Sequence, residues 1–403
     1  MSKNYTLTHL HSDDSNGITN IDSVTKFEEY IKQAKEWGMS SIAITEHGSV
    51  MNWVKKKETC DKYGIKYIHA VEAYLTESLD NKIRDNYHVC LYAKNWQGVK
   101  EINKMMSLAS NRNDGHYYYV PRITFDELYK TSDNIMLATA CTGGVFRTNN
   151  AELKKQYIKF LSKNKHRCFL EVQHHNTDMQ KEHNKLILEI HKRFNIPLIV
   201  ATDTHALNET HIKGRTILQK AKKIYFDNED GWDLVMRKYD EVVQALQLQG
   251  VLTQDQIEQG LENTNVLASM VEEFELDRSN KYPQMSDSPL EELKSKIKKG
   301  IIERGVYKYP NYESEYVPRI NEELETYIHN DAMNFLLLDS NIKEFAKEEQ
   351  IDYGFSRGSV SGSLIAYLIG MTEMDSIKYG LNFQRFMNKE RVSLADVECP
   401  LEK

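Results

Sequence analysis

Tyr5-Thr-Leu-Thr-His9-Leu-His11 sets a short alternating run directly before two imidazoles. Tyr5 to His9 reads as a strand, and because strand side chains alternate with period two, His9 and His11 share one face. Asp203-Thr-His205 repeats that spacing after a second apolar run, Pro197 to Ala201. Between them, His47 follows Ser41 to Thr45, Glu72 follows Tyr67 to Val71, His88 opens His88 to Tyr92, and Cys141 follows Ile135 to Ala138. Phe169 to Val172 is a further apolar run, and Asp22 to Trp37 reads as a helix stopped by Gly38. Strands alternating with helices imply a parallel sheet or barrel, in which chemistry gathers at the C-terminal strand ends. One histidine alone reads as a core or surface residue. Metal-competent side chains at one strand end after another argue for a multinuclear metal site. Imidazole, carboxylate and one thiolate suit zinc, manganese or iron. Such a site activates water and holds both oxygens of a phosphoryl transfer. Cys90 reads as a small buried residue, and His174, His175 and His183 read as surface residues.

The chain has 403 residues, enough for two or three domains. Its 40% hydrophobic and 28% charged content fits a globular protein. Net charge of −7 speaks against nucleic-acid binding by bulk charge alone. Five cysteines without a Cys-x-x-Cys pair read as reduced and cytoplasmic. No apolar run is long enough for a bilayer, and Met1-Ser-Lys-Asn-Tyr-Thr6 has no signal core, so no membrane partner is expected. The expected division is a metal-binding barrel over residues 1–210, a helical extension and linker over 211–283, and a mainly helical region over 284–403. In the last region helices are predicted over Leu290 to Arg304, Tyr316 to Leu337 and Ile342 to Glu348. Gly354 to Ser363 breaks the helical period, and Leu364 to Ile369 resumes it.

His9-Leu-His-Ser-Asp-Asp-Ser-Asn-Gly17 resembles the first motif of the PHP (polymerase and histidinol phosphatase) superfamily. Thr45-Glu-His-Gly48 resembles its second motif, and Val71-Glu-Ala-Tyr74, Ala140-Cys-Thr-Gly-Gly144 and Thr202-Asp-Thr-His205 resemble later ones. The resemblance implies an α/β fold, the distorted seven-stranded βα barrel of that superfamily. It places metal ligands on His9, His11, His47, Glu72, His88, Cys141, Asp203 and His205. The chain departs from the pattern twice: Asn16 stands where the superfamily usually has Asp, and Glu46 where it often has Asp. Asn is neutral and a poorer ligand.

Further on, Arg357-Gly-Ser-Val-Ser-Gly-Ser363 can offer backbone N–H groups, hydroxyls and a guanidinium fork to phosphates. Asp396 and Glu398 can hold Mg²⁺ with nucleotide phosphates. Ser356 to Tyr367 and Leu381 to Ser393 resemble the palm signature of family C, the bacterial replicative DNA polymerase III alpha subunits. That resemblance implies a partial palm, akin to that of polymerase beta. Gly362 and Ser363 fall at its nucleotide-binding positions, beside the phosphate-competent Arg357, Gly358 and Ser359, and Asp396 and Glu398 at two catalytic carboxylates. It places the third carboxylate, thumb and fingers beyond Lys403. The expectation is the N-terminal part of a replicative polymerase, from a truncated or split gene or a trimmed chain, with Cys399 opening a split intein as a minor variant. DNA primer-template, dNTPs, a C-terminal polymerase fragment and other replisome subunits are the implied partners.

Three functions compete at this point. The first is a polymerase fragment whose barrel is a metal-dependent 3′–5′ exonuclease using Zn²⁺, Mn²⁺ or iron, with Mg²⁺ in the palm. The second is a stand-alone phosphoesterase on a small phosphomonoester. The third is a metal-stabilised scaffold that docks a partner fragment.

Overall fold

Most apolar runs become strands, and the barrel follows from how they pair. A computed structural model describes residues 3–80, 83–224, 231–279, 282–356 and 358–390. Nine strands are described: β1 Ser41–Ala43, β2 Lys66–Ile68, β3 Ala70–Thr76, β4 Tyr87–Ala93, β5 Tyr117–Tyr118, β6 Val120–Thr124, β7 Ile135–Ala138, β8 Cys168–Gln173 and β9 Leu198–Ala201. Helices α1 Phe27–Glu36, α2 Trp53–Tyr63, α3 Trp96–Ala109, α4 Phe125–Tyr129, α5 Ala151–Lys163 and α6 Asp178–Phe194 alternate with them. Helices α7 Glu209–Lys222, α8 Tyr239–Gln249 and α9 Gln254–Ser269 follow.

The main sheet runs β5-β6-β3-β4-β7-β8-β9, and β1 pairs with β2 alone. Bridges complete the ring: Leu7 to Ile42, Leu10 to Thr204, and His47 to Glu72. The fold is thus the expected α/β barrel of PHP type, with two corrections. Tyr5 to His9 is extended but held only by bridges, so it is not a strand of its own. The sheet is also not all parallel, because β4 pairs antiparallel with both β3 and β7. The link from Thr76 to Tyr87 carries no described helix, and a strand without a helical crossover returns antiparallel. That reversal brings the start of β4, His88, to the end where the parallel strands finish.

Helix α1 starts at Phe27 rather than Asp22. The side chains of the intervening residues bond outward instead: Ser23 Oγ donates to the His205 carbonyl at 2.7 Å, and Thr25 Oγ1 meets His211 Nδ1 at 2.7 Å. Such local side-chain bonding competes with helix formation.

The chain divides into two compact units, Met1–Glu275 and Leu276–Lys403. In the first, one large apolar cluster runs from Tyr5 through Val200 to Leu261, so α8 and α9 are packed onto the barrel. The second holds α10 Pro289–Glu303, α11 Val317–His329, α12 Met333–Glu348 and α13 Leu364–Leu368 around its own cluster of Leu293, Tyr327, Phe335, Ile365 and Phe383. The single helix expected from Tyr316 to Leu337 is two. Asp331 takes a left-handed φ of 50° at the break, and Asn330 Nδ2 donates to the Asn388 carbonyl at 3.0 Å. Among the described residues no helix is long and apolar enough to cross a membrane.

Candidate metal centre

All eight barrel residues singled out from the sequence meet at one end of the ring. The Leu10–Thr204 bridge sets His9 and His11 beside Asp203 and His205, and the His47–Glu72 bridge sets those two together. Glu72 pairs across the sheet with Cys90, so both face the cavity, and His88 is the diagonal neighbour. Cys141 lies just past β7 on a turn whose Ala140 has φ 59°. Gly143 and Gly144 are needed there. A Cβ on Gly143 would stand 3.0 Å from the His88 ring, and one on Gly144 would stand 2.5 Å from the Thr139 carbonyl.

Four overlapping groups have ligand atoms mutually within 4.8 Å: His9-His11-Asp203, Glu72-His88-Cys141, His11-Asp22-His47 and His9-Glu72-Cys90. Glu72 is the hub. Its Oε1 lies 2.8 Å from His88 Nδ1 and 3.3 Å from His9 Nε2. Its Oε2 lies 2.7 Å from His47 Nδ1 and 3.6 Å from His11 Nε2. Asp203 Oδ1 is 3.3 Å from both His9 Nε2 and His11 Nε2, and 3.2 Å from His205 Nε2.

Two residues of the site escaped the sequence reading. Glu171 Oε1 lies 2.7 Å from His9 Nδ1, which fixes the ring and turns Nε2 inward. A carboxylate inside β8, where every residue is buried, was the available signal. Asp22 Oδ2 lies 3.0 Å from His205 Nδ1, and its Oδ1 3.4 Å from His47 Nε2. Its loop position gave no comparable signal. Cys90 is buried as expected but belongs to the cluster. His174 and His175 are not surface residues: they are 1% and 0% exposed, and His183 is half-buried. Gln249 reaches over this corner and donates to the Gln173 and His175 carbonyls.

The set suits a cation. His9 Nε2 and His11 Nε2 are buried without a well-formed hydrogen bond and face the Glu72 and Asp203 carboxylates at 3.3–3.6 Å, an arrangement that a cation between them would satisfy. Burial raises the Glu72 carboxyl, but the imidazoles of His88, His47 and His9 overcome this and hold it well below its usual range. Asp22 and Asp203 are likewise lowered against burial, Asp22 by His205 and His47 and Asp203 chiefly by His9. Burial, with His47 and His205 alongside, lowers His11 to about 4, so its lone pair is free at neutral pH. His205 goes the other way: Asp22 and Asp203 outweigh burial and hold it at about 9.

A pH trend follows. In chelated protein, the stability from His205 is fully present below about 6.5 and is lost as pH rises through about 9. A cation competes with those protons, so its affinity rises over the same window. The melting-temperature gain on adding Mn²⁺ or Zn²⁺ is therefore expected to widen from pH 6.5 to pH 9. A constant or shrinking gain in differential scanning calorimetry would contradict this.

Glu46 is no ligand. It accepts from Ser12 N at 3.0 Å, from the Ser12 hydroxyl, from Ser15 Oγ at 2.5 Å and from Lys56 Nζ at 2.7 Å. It ties the 12–15 turn to the second motif. Asn16 is exposed and outside the cluster.

In the second unit, Gly358 and Ser359 are exposed at a turn, whereas Gly362 and Ser363 are buried. Ser363 Oγ donates to Glu323 Oε2 at 2.7 Å and accepts from Ala366 N at 2.9 Å. Its hydroxyl is thus engaged within the protein. A Cβ on Gly362 would stand 2.5 Å from the Asn382 carbonyl, so the Gly-Ser turn packs on the downstream palm-like string. Arg357, Asp396, Glu398 and Cys399 lie outside the described residues.

The fold is a PHP-like α/β barrel with a buried cluster of metal-competent side chains. A family model described as the PHP domain matches residues 8–175, and one described as the bacterial DNA polymerase III alpha NTPase domain matches residues 291–403. The DNA polymerase III subunit alpha of Aquifex aeolicus (strain VF5) is 31% identical over 442 residues, covering 99% of this chain and 36% of that protein. The one from Borreliella burgdorferi is 28% identical, covering 97% and 34%. The one from Helicobacter pylori (strain 26695) is 27% identical, covering 99% and 35%. The chain carries a PHP domain and is homologous along its length to the bacterial DNA polymerase III alpha subunits. It spans about a third of the length of these curated relatives. A solved putative metal-dependent phosphoesterase from Bifidobacterium adolescentis aligns with a TM-score of 0.34 at 13% identity, over 62% of this chain and 98% of that one, too slight a likeness to weigh.

Proposed function

We propose that this chain is the N-terminal part of a replicative DNA polymerase alpha subunit, and that its barrel hydrolyses the 3′-terminal phosphodiester of DNA. The observation that carries the hydrolytic reading is the four overlapping His, Asp, Glu and Cys groups with inward ligand atoms. His9, His11, Asp203, Glu72, His88 and Cys141 are the residues that would hold Zn²⁺, Mn²⁺ or iron, with His47 and His205 beside them. Bound there, the cations supply Lewis acidity toward a phosphoryl oxygen and lower the pKa of water. The protein's part is to fix this set. Glu171 orients His9, and Glu72 faces several imidazoles at once. The 23% exposed side chain of His88 supports entry of a DNA end from that side.

In the second unit, Gly358, Ser359 and Gly362, with Arg357, are the proposed triphosphate contacts. Ser363 acts through the turn that it holds. Asp396 and Glu398 are the proposed Mg²⁺ carboxylates. The homology to alpha subunits supports these roles, together with primer-template DNA, dNTPs, a complementing C-terminal fragment and other replisome subunits as partners. A cytoplasmic setting fits the four described cysteines, all buried and free.

The test is a labelled primer on a template, run on a denaturing gel with Mg²⁺, Mn²⁺ or Zn²⁺ in separate lanes. The primer is expected to shorten from its 3′ end. His9→Ala with His11→Ala is expected to slow this at least about 100-fold, since even outer partners of a metal site are worth about 10–100-fold. Undiminished shortening in the double variant would sink the assignment. Turnover of a small phosphomonoester with untouched primers would favour the phosphoesterase reading.

A further inference from the structure

We propose that a rim of arginines and a tyrosine beside His88 binds an unpaired DNA strand and leads its 3′ end to the barrel's cluster. Arg84, Arg112 and Arg147 hold phosphates, and Tyr119 stacks a base. This rests on the reading of the barrel as a nuclease of DNA ends.

The rim is joined to the mouth of the site bond by bond. The Gly143 carbonyl, two residues past Cys141, accepts from His88 N at 3.1 Å and from Arg147 Nε at 3.1 Å. The Arg147 guanidinium also reaches the Asp85 and Asn86 carbonyls, so the link that carries Arg84 begins beside the exposed edge of His88. Buried Arg122 ties that link to the β5–β6 hairpin. It donates to the Ile83 carbonyl at 2.9 Å, the Gly115 carbonyl at 2.7 Å and the His116 carbonyl at 3.2 Å. The Arg84 guanidinium lies 3.2 Å from the centroid of the Tyr119 ring, and that of Arg112 lies 4.1 Å from the Tyr117 ring.

Charge on this rim is sorted. Arg84, Arg112 and Arg147 are exposed, and among the described residues none of them makes an ion pair. The neighbouring carboxylates are engaged elsewhere. Asp85 Oδ2 accepts from Glu77 N at 2.7 Å and from Thr76 Oγ1 at 3.1 Å, and Asp114 Oδ1 meets His116 Nδ1 at 2.7 Å. Glu77 accepts from the Tyr87 hydroxyl at 2.9 Å and from Asn150 Nδ2 at 3.0 Å. Guanidinium forks without carboxylate partners suit the phosphates of a nucleic-acid strand.

Tyr119 supplies what charge alone does not. It is the tip of the hairpin, with Tyr118 paired to Val120 across it, and its φ is 63°. Glycine enters that region freely, whereas a bulky side chain does so at a cost. Strain of this kind gathers at functional sites. The ring held there is not spent on the core, because Tyr119 is 58% exposed. An exposed aromatic ring backed by a guanidinium is a platform for a base. Bases in a duplex are already stacked on their neighbours, so the ligand is a single strand.

The test is fluorescence anisotropy of a labelled oligothymidylate titrated with the full chain in chelator, where metal-dependent hydrolysis is off. Tyr119→Gly removes the ring and relieves the φ, so the variant keeps the fold. It is expected to bind about 10-fold more weakly, the order for one lost stacked base. Arg147→Gln is expected to flatten the slope of log affinity against log salt by about 0.7, the share of one phosphate on a single strand. A fully paired duplex should bind Tyr119→Gly and wild type alike. No binding by the wild type, wild-type behaviour in both variants, or an equal loss for the duplex overturns the proposal. Should primers still shorten in that case, the nuclease reading stands without the rim. Should primers stay intact while the variants lose the single strand, the nuclease reading falls and the rim stands.

Discussion

Glu72→Gln is expected to remove most of the barrel's metal and much of its stability together. The substitution keeps size and shape and removes one charge. That charge faces His88 and His47 within 2.8 Å and His9 at 3.3 Å, at 1% exposure. Asp22 and Glu72 outweigh burial to hold His47 well above its usual value, and Asp203, Cys90, Glu171 and Glu72 do the same for His9. Without metal, Gln at this position leaves those buried cations short of a counter-charge. Breaking a buried pair in this way costs about 3–5 kcal/mol. For a unit of this size that corresponds to a drop on the order of 10 °C in melting temperature. With metal, the loss is compounded, because Glu72 belongs to two of the four ligand groups. The pH profile supplies a second check. Glu72 is held well below the usual carboxylate range, so its stabilisation is present above about 4.5 and is lost as pH falls through the lowered value. The variant should lack that acid step in a chelated melting series. A Glu72→Gln protein that melts with the wild type and keeps its full metal complement would show that Glu72 is not the hub.

The core of this site was legible because the barrel sorts residues by period and position. His9 and His11, and Asp203 and His205, sit two apart at chain ends of the ring, so spacing alone aligned their side chains. Cys141 and His47 followed apolar runs directly, and position again sufficed. What the sequence withheld depends on contacts between distant segments. Asp22 lies in a loop, and it reaches the cavity only through Asn16 on one side and Arg215 and Gln219 on the other. Local periodicity instead suggested that Asp22 begins a helix. His174 and His175 follow a strand as exposed loop residues would, but Gln249 from α8 closes over them. The antiparallel β4 was hidden for a similar reason: whether a connection holds a crossover helix is a property of the link and not of the strand. Ser363 shows a limit of motif reading. A hydroxyl in a Gly-Ser loop suggests a phosphate contact, while the packing of α11 commits it to an internal carboxylate.

That carboxylate is the site of the second large effect. Glu323→Ala is expected to destabilise the second unit by about 3–5 kcal/mol, the range for removing one partner of a buried ionic network. Glu323 is fully buried, and four donors converge on it. Leu364 N reaches its Oε1 at 2.8 Å and Ile365 N its Oε2 at 2.9 Å, which satisfies the first turn of α13. Ser363 Oγ adds a bond at 2.7 Å and Arg319 Nε another at 2.9 Å. Burial pushes the carboxyl up and these donors pull it back only in part, so the network is costly to build and depends on every member. Alanine leaves two backbone N–H groups and a guanidinium without their acceptor, each costing about 1–3 kcal/mol. Arg319 also donates to the Gly362 and Leu381 carbonyls, so the loss spreads to both palm-like strings. Hydrogen exchange should therefore quicken across residues 358–368, and a urea titration should show an earlier transition for this unit. The barrel has its own core and its own metal groups, so its ion content should be unchanged. Glu323→Gln keeps an acceptor oxygen but sets an NH₂ group against backbone donors, and it should fall between wild type and alanine. If Glu323→Ala leaves exchange at Leu364 and Ile365 unaltered, those amides are not held by this carboxylate. The proposed triphosphate loop would then need another source of rigidity.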